Sequence, residues 1–308
     1  MTQSRDSGGA SGNIYDLGYR GYTGERLGRA NAILTLYLYT LRGAFGLGRR
    51  PLAKIAPFGL VILALFPAVV QLGVSALTSG SDVAFPSFIE PVNYYGYVQT
   101  IVALFCAAVA PEIVSSDQRT RVLSLYFSRG LLRRDYVLAK FGALATAILT
   151  LTVLPVLILF VGNVVSAKDT SGYLKDHLDD LLPIVASGLL ISAFMSGISL
   201  VVASRTSRRA FASGGVFAAF ILTFAIVHIL IRVDSGGIGR VAVFFSPFHV
   251  ARGTTVWLFR QHLSFSERAV LEDLYRVNWN GFLYGAVVVA VCFAAFALLV
   301  RRYHEVSV

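Results

Sequence analysis

The chain has 308 residues, 56% of them hydrophobic and 14% charged, with a formal charge of +10 and a mean hydropathy of +0.67. So few charges exclude an ordinary soluble domain, and several apolar runs reach the roughly 20 residues that a helix needs to cross a bilayer. No nucleic-acid module accompanies the basic excess; cytoplasmic loops of membrane proteins collect Lys and Arg, so nucleic acid is not an expected partner.

Taken in chain order, residues 1–24 form a polar tail, disordered by composition at its start and rich in Tyr, Gly and Arg towards its end. It lacks the apolar core of a cleavable signal peptide, so the first span is expected to act as the insertion signal. Residues 25–50 turn helical: Leu27, Leu34, Leu38, Leu41 and Phe45 recur on one stripe, beside Asn31, Thr35 and Arg42. This amphipathic elbow serves either as an interfacial anchor or as a contact for a partner.

Residues 51–308 carry the membrane domain. Six spans are expected, at about 55–77, 92–114, 136–165, 181–203, 211–231 and 281–300, the third kinked by Pro155. With the N-terminus inside, the inner segments hold 19 Lys and Arg and the outer ones 8. That bias puts both termini in the cytosol. The apolar stretch 241–259 carries Pro247, His249 and Arg252, and a seventh span there would bury charge at the bilayer centre. A re-entrant or interfacial helical pair before the sixth span is expected instead.

No catalytic constellation stands out: H-E-x-x-H, G-x-S-x-G, Cys/His metal spacing and a phosphate loop are all missing from the sequence. The chain is therefore not expected to be an enzyme, to bind ATP itself or to hold a metal. Cys106 and Cys292 lie in apolar runs and read as small buried hydrophobes. His228 reads as a satisfied polar residue, and Asp176, Asp179 and Asp180 as a solvated turn. Glu112, after Pro111 at the end of the second span, is either a snorkelling charge or a hinge salt bridge with Arg119 or Arg121. Small-x-x-x-small pairs at Ser192–Ser196, Ala193–Gly197, Gly214–Ala218 and Gly281–Gly285 suit close helix packing, within the monomer or at a dimer seam.

The loop between the second and third spans is the most distinctive stretch. Five arginines (Arg119, Arg121, Arg129, Arg133, Arg134) flank Val122, Leu125 and Tyr126 at helical spacing, which predicts a short amphipathic helix. Residues 115–140, S-S-D-Q-R-T-R-V-L-S-L-Y-F-S-R-G-L-L-R-R-D-Y-V-L-A-K, resemble the loop of membrane subunits of bacterial type-2 ABC transporters, the exporter-like permeases. Leu125-Tyr126, Ser128-Arg129, Asp135-Tyr136-Val137-Leu138 and Lys140 match that register. Gly130 stands where Pro is common, and Ala139 where Gly is common.

The resemblance implies an all-α permease of the bacterial cytoplasmic membrane that pairs with a second, like or unlike, permease subunit. Such a permease would work as an exporter powered by a separate P-loop subunit that binds ATP and Mg; the apolar and small side chains of the spans fit a hydrophobic or amphipathic substrate. The 115–134 loop would then be a coupling helix: Val122, Leu125 and Tyr126 fill a groove of the ATPase, while Arg119, Arg121 and Arg129 meet its acidic rim. The elbow would press on the same subunit. The competing reading is a non-transporting membrane scaffold or sensor whose loop recruits some other protein; an intramembrane enzyme is disfavoured by the missing catalytic set.

Overall fold

The computed structural model describes residues 27–78, 91–120, 122–128, 130–167, 169–234, 236–259 and 269–305, and among them every regular element is helical. The expected tail 1–24, Arg121 and Arg129 lie outside the described residues. The helices are α1 (Gly28–Ala44), α2 (Leu52–Thr78), α3 (Pro91–Arg119), α4 (Leu123–Ser128), α5 (Arg133–Thr152), α6 (Leu154–Ser166) and α7 (Thr170–His177). They continue as α8 (Leu181–Ala203), α9 (Arg209–Val233), α10 (Ile238–Ala242), α11 (Pro247–Leu258), α12 (Ala269–Val277) and α13 (Gly281–Glu305).

Six helical stretches are long and apolar enough to cross a membrane: α2, α3, α5 with α6, α7 with α8, α9, and α13. They coincide with the six expected spans. The helix α3 sits at the centre, packed on α9, α8, α2 and α5, whereas α2 runs at the periphery against α6 and α3. Accordingly Ile55, Ile62, Phe66 and Val69 of α2 are exposed, as befits side chains whose solvent is lipid. Successive spans alternate in direction. One end of the bundle therefore gathers α1, α4, the α8–α9 turn and the end of α13; the other gathers α7, α10 and α12.

The third span breaks where the sequence predicts. Pro155 has no N–H to offer the Leu151 carbonyl, and the helix interrupts at Val153 before restarting as α6. Neighbours absorb the break: the Thr152 hydroxyl donates to the Ile148 carbonyl at 3.3 Å and lies 3.2 Å from Ser192 Oγ. Gly188 makes room for the kink, since a Cβ there would lie 2.0 Å from Val153 Cγ2.

The stretch before the last span is not a seventh crossing. The 12 residues of α11 rise only about 18 Å at 1.5 Å per residue. Ten of its residues are nonetheless buried, packed among α13, α8, α9 and α3. Arg252, 1% exposed, donates to Asn93 Oδ1, so its charge is housed in protein rather than lipid. Gly253 lies against the Tyr284 ring, and Trp257 covers both Gly281 and Gly285. That small pair serves packing inside the chain, as does Gly197 against Ala295 and Phe141. Gly214 differs: a Cβ there meets nothing within 4 Å.

Candidate docking surface

The loop after α3 is built from a helix that overruns its span. α3 continues to Arg119, and the following helix α4 has six residues, shorter than the 115–134 segment expected to dock. Beyond α4, Gly130 has a φ of +81°, in the left-handed region. Proline, locked near −65°, cannot take that conformation, so the departure at this position is built into the turn.

Beneath α4 lies a polar and aromatic brace. Asp117 on α3 accepts from Tyr136 Oη at 2.9 Å and pairs with Lys140 at 2.7 Å, both on α5. Lys140 is buried and also donates to the Ile113 carbonyl at 3.2 Å, which satisfies an ammonium that would otherwise be costly there. Tyr136 meets the Tyr303 ring of α13 edge-on at 5.0 Å and touches Tyr126 and Phe127 of α4, each at 6.0 Å. Gln118 and Ser115 donate to the carbonyls of Ser204 and Ala203, tying α3 to the end of α8.

Asp135 connects this brace to the elbow. Its carboxylate accepts the Leu132 backbone N–H at 3.0 Å, capping α5, and receives a bidentate fork from Arg29 of α1 at 2.7 and 2.8 Å. The Asp135 carboxylate holds the Arg29 guanidinium above its ordinary value. α1 lies along α5, with Tyr37 Oη donating to Thr146 Oγ1 at 2.9 Å.

The elbow packs through a different face from the one the leucines suggest. Leu36, Thr40 and Ala44 are buried, while Leu34 and Leu38 point outwards; Leu41 and Phe45 are half-buried. In a membrane an apolar stripe faces lipid as readily as protein, so the stripe alone does not identify the packed side.

Glu112 is an ion-pair hub, with other partners than expected. It pairs with Arg49, in the turn after α1, and with Arg209 at the start of α9 at 2.9 Å. Arg119 makes no ion pair among the described residues.

The loop residues themselves divide. Leu123 is buried, Val122 half-buried, and Tyr126 half-buried against Tyr136; burial and the nearby Asp117 raise its phenol above the usual value. Leu125 alone of the three expected groove-fillers projects freely, 61% exposed, with the exposed Arg119 and Arg134 near it in sequence.

The opposite end holds a cluster that the sequence reading did not connect. His228 of α9, His249 of α11 and Asp273 of α12 converge, with ligand-type atoms all within 4.8 Å of one another. No local spacing announces them, because each comes from a different helix.

A scan against protein-family models and a search of curated proteins both return no match to this chain. The class is therefore defined by the fold itself: an all-α, multi-pass membrane protein with six helices of spanning length and apolarity.

Proposed function

We propose that this chain is the permease subunit of an ATP-driven, exporter-like ABC transporter, and that α4 is its contact with a separate P-loop ATPase. The observation that carries this reading is the braced loop: a short helix presents one exposed leucine while its base is fixed to α1, α3, α5 and α13. A loop that only reversed the chain would need neither the exposed anchor nor the bracing. One that transmits force needs both, because a compliant base would absorb the displacement instead of passing it to the spans.

In this reading Leu125 enters a groove of the ATPase, and Arg119, Arg121 and Arg129 face its acidic rim. ATP and Mg reside in that partner. Closure of two ATPase subunits pushes α4; the Asp135 clamp moves α1 with it, and the Tyr136 brace passes the motion into α3, α5 and α13. The Lys and Arg bias supports a cytosolic position for the α4 end, and the family resemblance a bacterial inner membrane. A second permease subunit completes the path, with the open face of α9 around Gly214 available for close approach. The apolar spans suit a hydrophobic or amphipathic cargo.

The test is affinity purification of the chain from its native membrane with quantitative mass spectrometry. Wild type is expected to retain a P-loop ATPase at near one-to-one stoichiometry. Leu125→Glu is expected to insert normally and lose at least about 10-fold of that retention, as burying an unpaired carboxylate in an apolar groove requires. Tyr126→Asp is a poorer probe, because Tyr126 also packs on Tyr136. Equal retention by Leu125→Glu overturns the docking role, and a stoichiometric partner without a P-loop makes the chain a scaffold.

A further inference from the structure

We propose that His228, His249 and Asp273 form a binding site for a divalent cation of the zinc class, at the end of the bundle opposite α4. This is independent of the transport reading.

The geometry is that of a preformed three-ligand set. Asp273 Oδ2 lies 2.5 Å from His228 Nδ1 and 3.0 Å from His249 Nε2. His249 and Asp273 are fully buried, and the His228 side chain is 25% exposed, leaving one side open to solvent. Phe224 stacks on both imidazoles, at 5.8 and 5.2 Å, and fixes their planes. The second carboxylate oxygen, Asp273 Oδ1, is buried and has no hydrogen-bond partner. A buried ionised carboxylate with one bare oxygen is an unmet demand for positive charge.

The neighbouring groups are compatible with a cation. Without metal, both rings donate to Asp273; Arg232 Nε donates to His228 Nε2 at 3.0 Å, and the Ser246 hydroxyl lies 2.8 Å from His249 Nδ1. Metal binding leaves each ring neutral and moves its proton to the other nitrogen. His249 Nδ1–H then donates to Ser246 Oγ, an outer hydrogen-bond partner that fixes the orientation of the metal-bound ring. His228 Nε2–H displaces Arg232, which keeps its ion pair with Glu272 at 3.3 Å. Arg276 also pairs with Glu272, so both arginines are engaged by that carboxylate and not by Asp273.

Two imidazoles and one carboxylate select zinc-class ions over Mg and Ca, which take all-oxygen shells. Zinc bonds of about 2.0–2.1 Å in a tetrahedron put donor atoms about 3.3 Å apart, so the two contacts of Asp273 open by less than about 1 Å to admit the ion. Water takes the fourth position on the open side. Bound there, the ion joins α9, α11 and α12 and pins the cap of the bundle.

The experiment is Zn²⁺ titration of the purified full chain against a chromophoric chelator, with Co²⁺ absorption as the report of coordination. Wild type is expected to take up one equivalent, show the intense d–d bands of tetrahedral Co²⁺, and unfold at a higher temperature with Zn²⁺. His249→Ala and Asp273→Asn should abolish these signals, and Ser246→Ala should weaken affinity by about 10- to 100-fold. If the buried variants fail to stay monodisperse, His228→Gln, at the exposed edge, is read instead and should also lose tetrahedral Co²⁺. No saturable binding by monodisperse wild type, or binding that survives His228→Gln unchanged, overturns the proposal.

Discussion

Asp135 performs two jobs with one carboxylate, and the two can be separated. Asp135→Ala removes the cap on the Leu132 N–H and frees Arg29, whereas Arg29→Ala removes only the fork. The cap alone contributes about 1 kcal/mol, so the Asp135 variant is expected to lower the thermal unfolding midpoint in detergent more than the Arg29 variant. Equal midpoints would show that the cap is idle. Glu272 gives a pH signature at the other end. Arg276, and then Arg232, hold its carboxyl below the ordinary value of 4.5. A depressed folded value stabilises above the unfolded value and fades as pH falls through the lowered one. The Arg232–Glu272–Arg276 pairs should therefore persist at pH 5 and be lost only in stronger acid, as the Glu272 carboxyl resonance or infrared band will report. These partnerships were not legible in the sequence. Glu112 and Arg49 are 63 positions apart, and His228 and Asp273 are 45 apart. Linear spacing marks partners on one helix, not those that only packing brings together.

Elements were more legible than their contacts. The periodicity and length of apolar runs locate all six spans, and Pro155 marks the break between α5 and α6 because its chemistry acts on its own helix. The packed side of α1 was hidden for the reason given above: lipid and protein are both apolar. The length of α4 was hidden because helix α3 continues past its apolar stretch. Two substitutions test the element-level account. Gly130→Ala, at a φ of +81°, is expected to destabilise by about 1 kcal/mol, and Gly130→Pro by more, since the ring excludes that φ; hydrogen exchange of α4 amides should rise in the same order. Gly253→Ala places a Cβ 2.5 Å from Tyr284 Cγ in the buried face between α11 and α13. Overpacking there is expected to destabilise by about 1–3 kcal/mol, read from thermal unfolding.

At the scale of the whole molecule the two ends of the bundle differ in kind. One is basic, with a braced α4 that exposes Leu125; the other buries α11 and gathers His228 and His249. Their assignment to the two sides of the membrane is checked by labelling single cysteines in intact cells. Ser128→Cys on α4 should resist an impermeant maleimide, and Asp176→Cys on α7 should react; the native Cys106 is buried and Cys292 half-buried. Reversed labelling would place α4 outside the cell and end the docking proposal. The most direct test of that proposal is a photo-crosslinking amino acid at position 125 in the native membrane, with position 226, on the exposed face of α9, as control. The account predicts an adduct between position 125 and a P-loop ATPase whose yield changes with ATP, and no such adduct from position 226. Position 125 yielding no ATPase adduct, or both positions yielding the same one, would contradict it.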